Sequence, residues 1–108
     1  MAHTIGYVGT IESETHEVAR LWFSLRSKSK GGGWVKIGSN RAWFTMNMAS
    51  SDRPSHMAQL TLLLEAMRSG LQVSVRHGGA APFNKKPGAD HDSFEVEGIR
   101  ILRADLKF

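Results

Sequence analysis

The 108 residues predict a mainly β domain carrying one helix. Three observations lead there. Several short segments alternate apolar and polar residues at period two, bounded by Gly, Ser and Asn turns. One leucine-rich stretch repeats at helical spacing. A Gly/Pro-rich interval separates the last two alternating segments.

The elements follow in order. Residues 5–13 (IGYVGTIES) mix alternation with glycine, the pattern of a strongly bent first strand. Residues 18–26 (VARLWFSLR) predict a second strand, with Ala19, Leu21, Phe23 and Leu25 on one face and Arg20, Trp22, Ser24 and Arg26 on the other. A basic, glycine-rich loop follows, and residues 34–37 (WVKI) prolong a strand before Gly38-Ser39-Asn40 turns the chain. Residues 41–48 (RAWFTMNM) form the third strand, with Ala42, Phe44, Met46 and Met48 opposite Arg41, Trp43, Thr45 and Asn47.

The helix starts near Ser50-Ser51-Asp52-Arg53-Pro54, where side-chain oxygens and a first-turn proline suit an N-terminus, and it ends at Gly70. Met57, Leu60, Leu64 and Met67 are assigned to the core stripe. Gln59, Leu63 and Ala66 are assigned to a second face that packs against neighbouring subunits. Residues 71–76 predict the fourth strand, 77–93 a long Gly/Pro-rich loop, and 94–103 the fifth strand with a bulge at Gly98. Three strands, a helix and two strands, all within one domain spanning residues 1–108, describe a five-stranded OB-type (oligomer-binding) barrel.

Two stretches carry a resemblance. The first is Ala42-Trp43-Phe44-Thr45-Met46, and the second runs from Ser55 through the leucine-rich helix and Gly70 to Val73-Ser74-Val75. Gly9-Thr10-Ile11 and Val96-Glu97-Gly98-Ile99-Arg100-Ile101 complete the pattern over most of the chain. It resembles small bacterial OB-fold proteins that are similar in outline to the B subunits of pentameric toxins. That resemblance implies a ring-shaped homo-oligomer with helices about a central axis and a glycan as ligand. Related secreted proteins commonly carry a leader peptide and a cysteine pair. The sequence has no cysteine and no basic start with an apolar run. As written the chain is expected in the cytoplasm, or outside the cell if a leader was removed. No segment has the roughly 18 apolar residues of a membrane span, so no membrane insertion is expected.

The candidate ligand residues come from the polar strand faces and the basic loops. Arg20, Trp22, Arg26, Arg41, Trp43 and Asn47 would form one outward surface of aromatics flanked by cations, with Trp34, Phe83, Lys85 and Lys86 reaching over it from the loops. Such a surface suits stacked sugars. It also suits single-stranded nucleic acid, whose bases stack on Trp while Arg and Lys pair with phosphate. The net charge of +4 favours an anionic partner. On this arrangement Trp43→Ala should abolish binding and spare stability, and Leu63→Glu should dissociate the oligomer.

The sequence has no nucleophile elbow, phosphate loop or zinc-protease helix. His77, Asp90, His91 and Asp92 have no spacing that fixes a metal site, and Glu95 with Glu97 resembles a solvent-facing strand edge more than a catalytic pair. A non-enzymatic binding protein without cofactor or metal is expected. Its ligand is a glycan or other extended polar molecule, with single-stranded nucleic acid as the alternative.

Overall fold

The computed structural model describes residues 2–16, 18–28, 31, 33–36, 42–49, 53–85 and 92–103. Six strands make one sheet: β1 (Ala2–His16), β2 (Val18–Lys28), β3 (Trp34–Lys36), β4 (Ala42–Asn47), β5 (Gln72–Lys85) and β6 (Asp92–Ile101). The single helix α1 (Arg53–Ser69) lies between β4 and β5. Sheet order is β1-β5-β6-β4-β2-β3, and an extra β1–β2 pairing joins its ends. Five strands therefore close into a ring, and β3 hangs on the outside of β2 as a short hairpin partner. Closure matters because it pairs strand edges that would otherwise be exposed.

The first strand makes closure possible. Residues Ala2 to Tyr7 pair with β5, whereas Tyr7 to His16 pair with β2, so β1 belongs to both sides of the ring. Val8 faces Leu25 and Thr10 faces Ser24, which leaves Gly9 as an extra residue in the ladder. Such a bulge bends and twists a strand. A Cβ on Gly9 would sit 2.9 Å from Arg26 Cγ, so the bend needs glycine to let β2 approach. The glycine-punctuated first strand read from sequence is this bend.

The ring's last join is parallel: Trp43, Phe44 and Thr45 of β4 sit opposite Ser93, Phe94 and Glu95 of β6. A second bulge lies in β6. Arg76 faces Gly98 and His77 faces Val96, leaving Glu97 extra. The extra residue resets the alternation, so both Val96 and Ile99 pack against the core. The bulge expected at Gly98 falls one residue earlier.

The core fills the ring with Val8, Leu21, Phe23, Leu25, Phe44, Met46, Val73, Val75 and Val96, and Leu63 and Ala66 of α1 pack onto it. Phe23 and Phe44 stack with ring centroids 5.3 Å apart. His77 sits among these aromatics, 5.2 Å from Phe44 and 4.9 Å from Phe94, and shares a 2.9 Å hydrogen bond with Thr4 Oγ1.

Two local devices orient α1. At its start His56 is buried, with Nδ1 2.8 Å from the carbonyl oxygen of Asn47. At its end Gly70 adopts φ +67° and the Leu71 N–H donates to Ala66 O at 3.0 Å, which is a Schellman closure. No atom lies within 4 Å of a Cβ built on Gly70, so Gly70→Ala suffers only backbone strain. The expected loss is about 1 kcal/mol, seen as a melting temperature lower by roughly 4–8 °C in a thermal scan.

Three expectations are corrected here. The loop placed at 77–93 is largely sheet: β5 runs on to Lys85 and β6 begins at Asp92, with Ala80 opposite Phe94 and Lys85 opposite Asp92. A paired neighbour satisfies the backbone of Gly-Gly-Ala-Ala-Pro whatever its intrinsic preference. The helix is also rotated from its expected setting. Leu63 and Ala66, assigned to a subunit interface, are core residues, whereas Met57, Leu64 and Met67, assigned to the core, are exposed. Residues 34–36 form a separate hairpin strand and do not prolong β2.

Candidate functional site

The polar face of β2 and β4 was the first candidate. Register brings its residues together in rows across the ring: Thr10, Ser24, Trp43 and Ser93 in one, Glu12, Trp22, Thr45 and Glu95 in the next. The pairing inferred from sequence, Arg20-Trp22-Ser24 beside Trp43-Thr45-Asn47, is therefore present. Its exposure is not. Trp22 is 0% exposed, Arg20 3% and Trp43 5%, and Ser24, Thr45 and Ser93 are fully buried. Alternation separates two strand faces, but it does not say that one of them meets water.

Within this face Arg20 is the electrostatic centre. Its Nη1 donates to Thr45 Oγ1 at 3.2 Å and to Glu95 Oε2 at 3.3 Å. A buried guanidinium needs such a partner, because an unpaired charge there costs several kcal/mol. The Thr10 and Ser24 hydroxyls bond each other further along the same face. Among the described residues the Trp22 indole N–H and the Ser93 hydroxyl have no hydrogen-bond partner. Arg20, Trp22 and Trp43 thus form a buried layer on the strand face opposite the core and not an open stacking platform.

The remaining sequence candidates are dispersed. Arg26 is half-buried, lies over Gly9, and donates from Nη1 to the Leu25 carbonyl at 3.1 Å. Asn47 ends β4, where Oδ1 accepts the Ala49 N–H at 2.9 Å and closes the turn. Trp34 pairs with Lys28 in the β2–β3 hairpin, and Phe83 and Lys85 lie on the far part of β5. Arg41 and Lys86 lie outside the described residues, as do Asp90 and His91. His77 faces the core aromatics, so it does not join a loop cluster with Asp92. Glu95 and Glu97 both have basic partners, Arg20 and Arg76.

What the structure does expose is an apolar stripe on α1. Met57, Leu64 and Met67 are exposed and Leu60 is half-buried. Their spacing of three, four and three residues is that of a helix–helix seam. Thr61, Leu64, Glu65, Met67 and Arg68 line an open depression along it. Arg68 and Ser69 hydrogen-bond to Glu65 and hold its carboxyl below the usual carboxylate range. Gln59, assigned to the interface with Leu63 and Ala66, is half-buried beside this stripe. The sequence placed Met57, Leu60, Leu64 and Met67 facing inward; Leu60 does pack against the core, whereas Met57, Leu64 and Met67 face out.

No protein-family model matches the chain, and no curated protein or solved structure is significantly similar to it. Among the described residues no helix is long and apolar enough to cross a membrane.

Proposed function

We propose that the chain is an OB-type barrel acting as a non-enzymatic binding module that assembles with copies of itself and takes a glycan or other extended polar ligand. Counted along the chain, the five ring strands are joined in the order first, second, third, fifth, fourth and back to the first. A parallel third–fifth pair and a helix between third and fourth accompany that order, as in an OB barrel.

The observation that carries self-assembly is the exposed group Met57, Leu64 and Met67 on α1. Leu63 and Ala66 give the helix its inner face and Leu60 packs against that core, so the three exposed side chains are apolar surface beyond what the core takes up. Its flank does not oppose a second copy: Glu65 and Arg68 neutralise each other beside the seam, so no like charge is brought together when two copies meet. The small bacterial OB-fold proteins that the sequence resembles are similar in outline to toxin B subunits, which form rings around their helices.

Light scattering after size exclusion tests the assembly over a wide range of protein concentration. The expected result is a multiple of the 11.9 kDa chain for the wild type, and a single chain with unchanged melting for Leu64→Glu. A wild type that stays a single chain at high concentration overturns it. The nucleic-acid reading rests on the basic balance, since Trp22 and Trp43 are buried and offer no stacking surface. Tight, salt-sensitive binding of a labelled single strand would favour it over the glycan reading.

A further inference from the structure

The outer face of β1, β5 and β6 holds a cluster that neither the helix seam nor the buried Arg20 layer uses. Register sets Ile5, Ser74 and Arg100 side by side in one row and His3, Arg76 and Gly98 in the next. His3, Ser74, Arg76, Gly98 and Arg100 line a shallow depression there. Gly98, having no side chain, leaves its floor open. A Cβ at that position would lie 3.6 Å from the Arg76 guanidinium.

The commitments of the charged groups are uneven. Glu97 holds Arg76 on one side: Nη2 donates to the Glu97 carbonyl at 3.3 Å, and Nε is 3.9 Å from Glu97 Oε1. Among the described residues Arg76 Nη1 and the whole Arg100 guanidinium have no partner, and neither has the Ser74 hydroxyl or the His3 ring. Arg76 and Arg100 are diagonal neighbours on adjacent strands, a separation of about 7–8 Å between backbones. Two long side chains at that spacing have the reach to meet one small anion between them.

We infer that this depression binds a single compact oxyanion, a phosphate or sulfate carried by the ligand, with Arg100 and Arg76 Nη1 as the principal donors, and Ser74 Oγ and the His3 ring as further ones. The geometry suits that chemistry because guanidinium forks match the oxygens of phosphate and sulfate. One convergent site differs from a track of cations, which a nucleic-acid backbone would need. This inference rests on the reading of the chain as a binding protein, but it uses a face apart from the α1 seam. The mass measurement and the anion titration can therefore fail independently.

The test is a titration of the full chain with inorganic phosphate at low ionic strength, followed by backbone amide resonances. Saturable shifts confined to His3, Ser74, Arg76 and residues 98–100 are expected. Arg100→Gln should weaken binding about tenfold or more, as expected for loss of a charge-assisted contact. Glu97→Gln should strengthen it by removing the competing carboxylate. Both substituted side chains are exposed, so melting curves should overlay those of the wild type. Glucose 6-phosphate and glucose 6-sulfate form the next arms, and saturable binding of either names the source of the anion. Unsaturable shifts spread over every exposed cation would overturn the site, as would an unchanged Arg100→Gln. So would a single-stranded oligonucleotide that binds far more tightly and shifts resonances elsewhere.

Discussion

Leu63→Glu is expected to abolish cooperative unfolding, while Leu64→Glu, one residue further on, leaves it in place. Leu63 is 0% exposed and packed into the ring's core, and Leu64 is 53% exposed on the outer stripe. A glutamate at 63 must either bury a charge or stay protonated among Leu, Val and Phe. The penalty is several kcal/mol, to which the lost leucine packing adds about 2–5 kcal/mol. Together these match the entire stability of an ordinary domain, about 5–15 kcal/mol. Circular dichroism through a thermal or urea scan reads the outcome. A cooperative transition for Leu63→Glu with a reduced particle mass would restore the interface role first assigned to Leu63 and show the helix rotated from the setting described. The paired variant matters because both substitutions make the same chemical change, so a difference between them reports burial alone.

Phe44→Ala carries the second large effect. The ring is 1% exposed, stacks on Phe23, and lies 5.2 Å from His77 and 6.3 Å from Phe94. Truncation removes a large buried side chain at the point where β2, β4 and β6 meet, and the neighbours cannot all collapse into the space. The expected loss is about 3–5 kcal/mol, read as a lower urea midpoint with an unchanged slope. Phe44→Leu should lose much less because it keeps most of the volume. Equal effects from the two would mean that the aromatic stack, and not the cavity, sets the cost. Trp43→Ala belongs with this prediction. It was expected to leave stability intact, but a tryptophan only 5% exposed cannot be cut to alanine without a comparable loss.

Much of the fold was legible in the sequence because strand alternation and helix periodicity are local. The glycines of β1, the alternation of 18–26 and 41–48, and the Gly70 stop each state a backbone geometry that neighbouring residues cannot hide. Leu21, Phe23 and Leu25 were accordingly placed on one strand face, and Phe44 and Met46 on another, and these faces form the core. The bend at Gly9 and the reset at Glu97 were readable as glycine-marked irregularities, although not to the residue.

Three things only the tertiary structure decided. The first is which helical stripe docks. Residues 57, 60, 64 and 67 repeat as well as 56, 63 and 66, so periodicity alone could not choose. The choice comes from the ends, where the His56–Asn47 bond and the Gly70 closure fix the rotation of α1 over the ring. The second is the fate of the Arg20-Trp22-Trp43 face: period two defines two faces, but burial depends on what the rest of the chain lays over them. The third is the Arg76–Arg100 cluster. Those arginines lie 24 positions apart in sequence and meet only because β5 and β6 pair in that register. Residue types and local periodicity are properties of the string, whereas register, rotation and coverage come from long-range pairing that no short window of sequence contains.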